Sequence, residues 1–178
     1  MRGSGSSAAA ITSKVVSVFV IWSGIRCSIC HTCLSILHAG ILHLASNLYF
    51  LFVFGDNVED ELGALGMILL LAGASLAGTF LHGMLDPRGD VPCVGASAGI
   101  SAVLAYYAIA FPKARLGVFV RFGWYFKWVT FTAAGGMLLW IFFQLLIAIG
   151  QLAGAGSVSA LAHIGGALSG AALAWSRR

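Results

Sequence analysis

The chain has 178 residues, 60% of them hydrophobic and 9% charged, with a formal net charge of +4. Soluble domains run at about 45–50% and about 25%, so this composition excludes a soluble enzyme, a disordered chain and a nucleic-acid binder relying on a basic face. The basic surplus bears instead on orientation in a membrane. Residues 1–13 are small, polar and low in complexity, and read as a disordered tail. Residues 14–37 read as an atypical first helix and loop region: only 15–25 are free of Asp, Glu, Lys and Arg, fewer than the roughly 20 apolar residues a crossing needs. The same region holds Cys27-Ser28-Ile29-Cys30-His31, which matches a haem-attachment spacing but comes with no recognisable second axial ligand. No metal or cofactor is expected.

The charge-free stretches 27–55, 62–85, 91–112 and 128–176 are each long enough to cross, and the last suffices for two, divided at the glycine-rich turn 150–157. The resulting spans are 39–55, 63–84, 95–111, 129–149 and 158–175. The expected fold is all-α, a polytopic helical bundle in a lipid bilayer over residues 38–176. Lys113, Arg115, Arg121 and Lys127 in the segment 111–128, with Arg177 and Arg178, mark the cytoplasmic side of a bacterial-type plasma membrane. The acids Asp56, Glu59, Asp60 and Glu61 fall on that side as well. The loop 82–94 then faces outward, with His82 solvated at the interface.

Polar groups at membrane depth are costly, and each is a functional candidate. Ser97, His163, His43 and Asn47 all fall in the outer half of the membrane, although the orientation was set from other residues. His43 and Asn47 are spaced i,i+4 on one helix face, and His163, Gly166 and Gly170 share another. Glycines beneath a histidine allow a second helix to approach closely, and Ser97 has the small Ser101 beneath it. Such an approach suits a serine–histidine hydrogen bond. Gln144 reads as a bond to a neighbouring helix, and Trp124, Tyr125, Trp128 and Trp140 as interfacial or packing aromatics.

These residues resemble a known family. Gly95-Ala96-Ser97-Ala98-Gly99-Ile100 is similar to the nucleophile motif of rhomboid intramembrane serine proteases, and Ala162-His163-Ile164-Gly165-Gly166-Ala167-Leu168-Ser169-Gly170 to their histidine motif. His38-Ala39-Gly40-Ile41-Leu42-His43-Leu44-Ala45-Ser46-Asn47 resembles their second-helix pattern, and Phe54-Gly55-Asp56-Asn57-Val58-Glu59 the segment that follows it. The resemblance implies a six-helix bundle with Ser97 as nucleophile and His163 as general base. His43, Asn47 and the backbone at Ser97, approached through Gly95, would support the oxyanion. Gly99, Gly166 and Gly170 would pack helices, and the substrates would be membrane-anchored proteins. A client-binding relative that does not cut is the alternative, and it would ordinarily lack the serine or the histidine. A small transporter would instead show internal repeats or mid-span charges.

The chain departs from the family pattern at Ala98, where many members have glycine, and at Ser101, where some have a tyrosine that stacks on the imidazole. The family's first helix and its Trp-Arg loop are not found in residues 1–37. No acid occurs from Val91 to Arg178, so a Ser–His dyad without an orienting carboxylate is expected.

Overall fold

A computed structural model describes residues 40–87, 96–155 and 158–178. The expectations for the 1–13 tail, the 14–37 region, His38 and Gly95 lie outside the described residues. The element order is α1 (Ile41–Leu85), α2 (Ser97–Ala110), β1 (Arg115–Phe122), β2 (Tyr125–Thr132), α3 (Ala133–Leu152) and α4 (Ala160–Ser176).

Helix α1 is broken at Gly63, whose φ of 71° and ψ of 163° belong to a region that side chains almost exclude. The chain reverses there. A Cβ added at Gly55 would lie 3.5 Å from the Met67 side chain, whereas an unbroken helix would separate those positions by about 18 Å. The expected spans 39–55 and 63–84 therefore form two arms of one broken helix, and the first arm runs on to 62. Counting uncharged residues ends a span at Asp56, but Asp and Glu continue a helix once it leaves the hydrocarbon. Open space surrounds Gly63, so Gly63→Ala meets no clash and is charged only with backbone strain. We expect it to lower stability by about 1–3 kcal/mol, read as a fall in Tm in detergent or lipid, while Gly73→Ala, at an uncrowded helical position, leaves Tm unchanged or raised.

The all-α expectation needs correction. Residues 129–132, placed at the start of a span, belong to β2, which pairs antiparallel with β1 from Arg115↔Thr132 to Phe122↔Tyr125. The reversal is a two-residue turn at Gly123-Trp124, and Gly123 has φ 60°, as in tight hairpin turns with glycine first. The physical reason is composition. Both segments are rich in Val, Phe, Tyr, Trp and Thr, which favour strands, and hydropathy alone does not separate such a run from a helix. Helix α3 starts at Ala133, where Thr132 Oγ1 accepts from Gly135 N–H at 3.1 Å. Five clear spans are also more than the described residues display. They hold four helices, of which Ile41–Leu85 and Ala133–Leu152 are long and apolar enough to cross a membrane.

Phe54, Val58, Met67, Leu70, Val103 and Tyr106 form the core between the arms of α1 and α2. The outside carries the large apolar side chains, among them Leu42, Phe52, Leu69, Leu138, Phe142 and Ile149. Beyond that core the buried positions are largely alanine, among them Ala74, Ala98, Ala102, Ala162 and Ala167, while most large apolar side chains face outward, as in a bundle facing lipid. The end of the bundle near Gly63 is tied by side chains. Tyr106 Oη donates to Glu61 Oε2 at 3.0 Å, Arg177 donates to the Glu61 carbonyl at 3.4 Å, and Arg178 donates to the Ile109 carbonyl. At the other end His82 is buried rather than solvated. Its Nδ1 lies 2.9 Å from Ser159 Oγ and 3.1 Å from Gln151 Nε2, and Gln151 also donates to Asp86 Oδ2 at 2.5 Å. These polar groups join the ends of α1, α3 and α4, where each buried donor needs an acceptor.

Candidate active site

Helices α2 and α4 meet through their main chains. A Cβ added at Gly166 would fall onto the Ala98 carbonyl, and one at Gly170 onto the Ala102 carbonyl. On the opposite side of α2, a Cβ at Gly99 would lie 2.8 Å from the Leu71 carbonyl. Only glycine fits at these three positions, and α2 is clamped between α1 and α4. The clamp sets the separation of the side chains above it. Ser97, the first residue of α2, places its Oγ 2.9 Å from Nε2 of His163, one turn into α4.

The other ring nitrogen also has a partner. His163 Nδ1 lies 2.9 Å from Oε1 of Gln144 on α3. An amide oxygen only accepts, so Nδ1 carries the proton and donates to it. Nε2 is then the lone-pair nitrogen that accepts from the Ser97 hydroxyl. Gln144 is buried on a helix with only four buried residues, Ala133, Gln144, Ala148 and Gln151, so α3 turns a narrow stripe inward. One turn before Gln144, the Trp140 ring stands 6.3 Å from the imidazole at 39°. It flanks the ring that a tyrosine at the Ser101 position would otherwise stack on. Ser101 itself donates to the Ser97 carbonyl at 2.6 Å.

Asn47 is buried on the first arm of α1, and its Nδ2 has no acceptor among the described residues. A buried donor of this kind is uncommon. His43 stands one turn earlier on the same arm and is half-buried. Ala96 offers no side-chain cap to α2, and the first-turn N–H groups have no partner within the helix. The structure thus brings Ser97, Gln144 and Trp140 together around the His163 ring. Among the described residues no group of His, Cys, Asp and Glu has a metal-binding arrangement.

A model of the rhomboid domain matches residues 11–178. The chain belongs to the rhomboid family. It is accordingly a membrane-embedded helical protein. This rhomboid is 31% identical over 146 residues to the Rhomboid-like protein 11, chloroplastic, of Arabidopsis thaliana, covering 78% of this chain and 48% of that protein. It is 28% identical over 138 residues to the human Presenilin-associated rhomboid-like protein, mitochondrial, covering 75% and 34%, and 27% identical over 145 residues to the Rhomboid protein 1, mitochondrial, of Saccharomyces cerevisiae, covering 78% and 38%. The chain therefore spans less than half the length of these relatives. No solved structure matches it.

Gln144, a polar residue at membrane depth, reads from the sequence as a bond to a neighbouring helix, and Trp140 as an interfacial or packing aromatic; the structure puts both beside the His163 ring. Their i,i+4 spacing on α3 was the available signal, since it puts an amide and an indole on one face.

Proposed function

We propose that this rhomboid is a serine endopeptidase that hydrolyses peptide bonds in or near the transmembrane segments of membrane-anchored proteins. The observation that carries the reading is the 2.9 Å contact between Ser97 Oγ and His163 Nε2, at hydrogen-bond distance for a nucleophile and its base. In this reading Nε2 takes the hydroxyl proton as Oγ attacks the scissile carbonyl carbon. The resulting imidazolium keeps its Nδ1–H on Gln144. The oxyanion takes hydrogen bonds from the Ser97 N–H and the spare Asn47 Nδ2, with His43 beside them. Collapse of the tetrahedral adduct breaks the C–N bond, and Nε2–H protonates the leaving amine. A water deprotonated by Nε2 then attacks the acyl-serine, and the serine is released with its proton restored.

An apolar cleft of about 380 Å³ opens between the first arm of α1, the C-terminal half of α2, the start of α3 and the base of the hairpin, lined among others by Phe50, Tyr107, Leu116, Phe131 and Trp140. Trp140 is its link to the imidazole, and neither Ser97 nor His163 lines it. The arms of α1 with α2, α3 and α4 supply five crossings in this reading, and the membrane is a bacterial-type plasma membrane. The names of the relatives given above place those proteins in the chloroplast or the mitochondrion.

The test is direct. Purified protein in lipid should cleave a model transmembrane substrate and should react with a fluorophosphonate at Ser97, as mapped by mass spectrometry of the adduct. An unreactive Ser97 together with intact substrate would leave client binding without cleavage as the function.

Gln144 provides a sharper check. Gln144→Leu leaves the imidazole free to take the other tautomer, with the proton on Nε2. By analogy with the wrong-tautomer effect in serine triads, we expect kcat to fall by roughly 10²–10⁴-fold with little change in KM. Gln144→Glu keeps an acceptor and should retain activity, with the acid limb of its pH–rate profile moved upward because a carboxylate stabilises imidazolium. A purely structural glutamine would show no such shift.

A further inference from the structure

The hairpin β1–β2 takes no part in the chemistry above. It leaves the bundle at the C-terminal end of α2, away from Ser97, and returns at the start of α3. Directly opposed residues share a face, so the register gives two distinct surfaces. One carries Val118, Val120, Phe122, Tyr125 and Val129, all exposed, with Phe122 at 85%. The other carries Arg115, Phe119, Arg121, Phe126 and Trp128. On this second face Phe119 stacks on Phe126 at 5.4 Å, and the Arg121 guanidinium lies 5.6 Å from the Phe126 ring and 6.0 Å from the Trp124 ring.

A two-stranded ribbon with apolar side chains exposed on both faces is at best marginally stable in water. Its outer edges hold unpaired backbone groups, which the hydrocarbon core does not satisfy. The level between these two media suits both conditions. The charges then select the surface: Lys113, Arg115, Arg121 and Lys127 occur in residues 112–132 with no acid. Lys127 lies on the aliphatic face opposite Val120, from which its long stem reaches a headgroup.

We propose that the hairpin is a lipid-binding ribbon that lies along the leaflet opposite Ser97, with its Val118/Val120/Phe122 face on the acyl chains and its Arg121/Trp128 face among anionic headgroups. Apolar burial anchors the ribbon, and the cations add selectivity for acidic lipid. Helix α3, which follows the ribbon, also exposes large apolar side chains, among them Leu138, Leu139 and Phe142.

The experiment uses the full chain with Cys27, Cys30, Cys33 and Cys93 changed to serine, and a single cysteine placed at Val120 or at Phe119 for spin labelling. Each protein is reconstituted into phosphatidylcholine vesicles with and without phosphatidylglycerol, after circular dichroism has matched it to the parent. The expected result is a label at 120 that meets oxygen more often than a water-soluble nickel chelate, and a label at 119 with the reverse preference. Phosphatidylglycerol should lower nickel access at 119, and that effect should be lost in Arg121→Gln/Lys127→Gln. Equal nickel access at both positions in both mixtures would place the ribbon in water and overturn the proposal. Exclusion of both reagents at 120 would overturn it in favour of a protein partner. Neither readout depends on Ser97 being a nucleophile.

Discussion

His163→Ala is expected to lower kcat for a model transmembrane substrate on the order of 10⁶-fold, and Ser97→Ala by a comparable factor, because a nucleophile and its base act as one unit. The double variant should be scarcely worse than either single one. Both side chains are half-buried, and beyond their one hydrogen bond the contact between α2 and α4 runs through the main chain at Gly166 and Gly170. Expression and Tm should therefore stay near those of the parent, so lost activity reports chemistry. Fluorophosphonate labelling should vanish in Ser97→Ala and become very slow in His163→Ala. Acidification should mimic the histidine variant reversibly, since a protonated imidazole accepts nothing from the Ser97 hydroxyl. Wild-type cleavage by Ser97→Ala would overturn the assignment of the nucleophile.

The second large effect is expected at Gly166. In Gly166→Ala the new methyl falls onto the Ala98 carbonyl, a main-chain atom that no rotamer change removes. Helix α4 must then back away from α2. Overpacking typically costs about 1–3 kcal/mol, and the displacement is added to it. A shift of about 1 Å between reacting groups is enough for a loss of roughly 10²-fold. Gly166→Ala should thus lower Tm by several degrees or more and reduce kcat at least 10²-fold, although the residue touches no substrate. Gly150→Ala, at a position with nothing within 4 Å of the added Cβ, is the control for glycine replacement in general. Parental Tm and kcat in Gly166→Ala would show that the two backbones are further apart than described.

The meeting of α2 and α4 was readable from the sequence because it depends on a rule with few exceptions. Two glycines at i and i+4 under a histidine, and small residues under a serine, admit a close helix pair. The partner of Nδ1 was harder to read. Gln144 on a uniformly apolar helix faces either the bundle or a neighbour, and residue spacing does not fix the rotation of α3. The hairpin escaped detection because uncharged length measures hydropathy, whereas the Val-, Phe- and Trp-rich run from 115 to 132 also has a strand's residue types. The reversal at Gly63 was placed correctly only as a boundary. That the helix continues through Asp56 and Glu61 reflects helix formation outside the hydrocarbon, which a membrane-length criterion does not count.

The glycine contacts at 99, 166 and 170 have one more consequence. Where two helices touch through main-chain atoms, their spacing is fixed by bond lengths and van der Waals radii rather than by how long side chains settle. Swapping detergent for lipid, or a thin bilayer for a thick one, rearranges the Leu and Phe shell outside. The span from the hydroxyl to the ring nitrogen is insulated from that change, while the grip of α3 on the far side of the ring, resting on a narrow inward stripe, is where the surrounding medium makes itself felt.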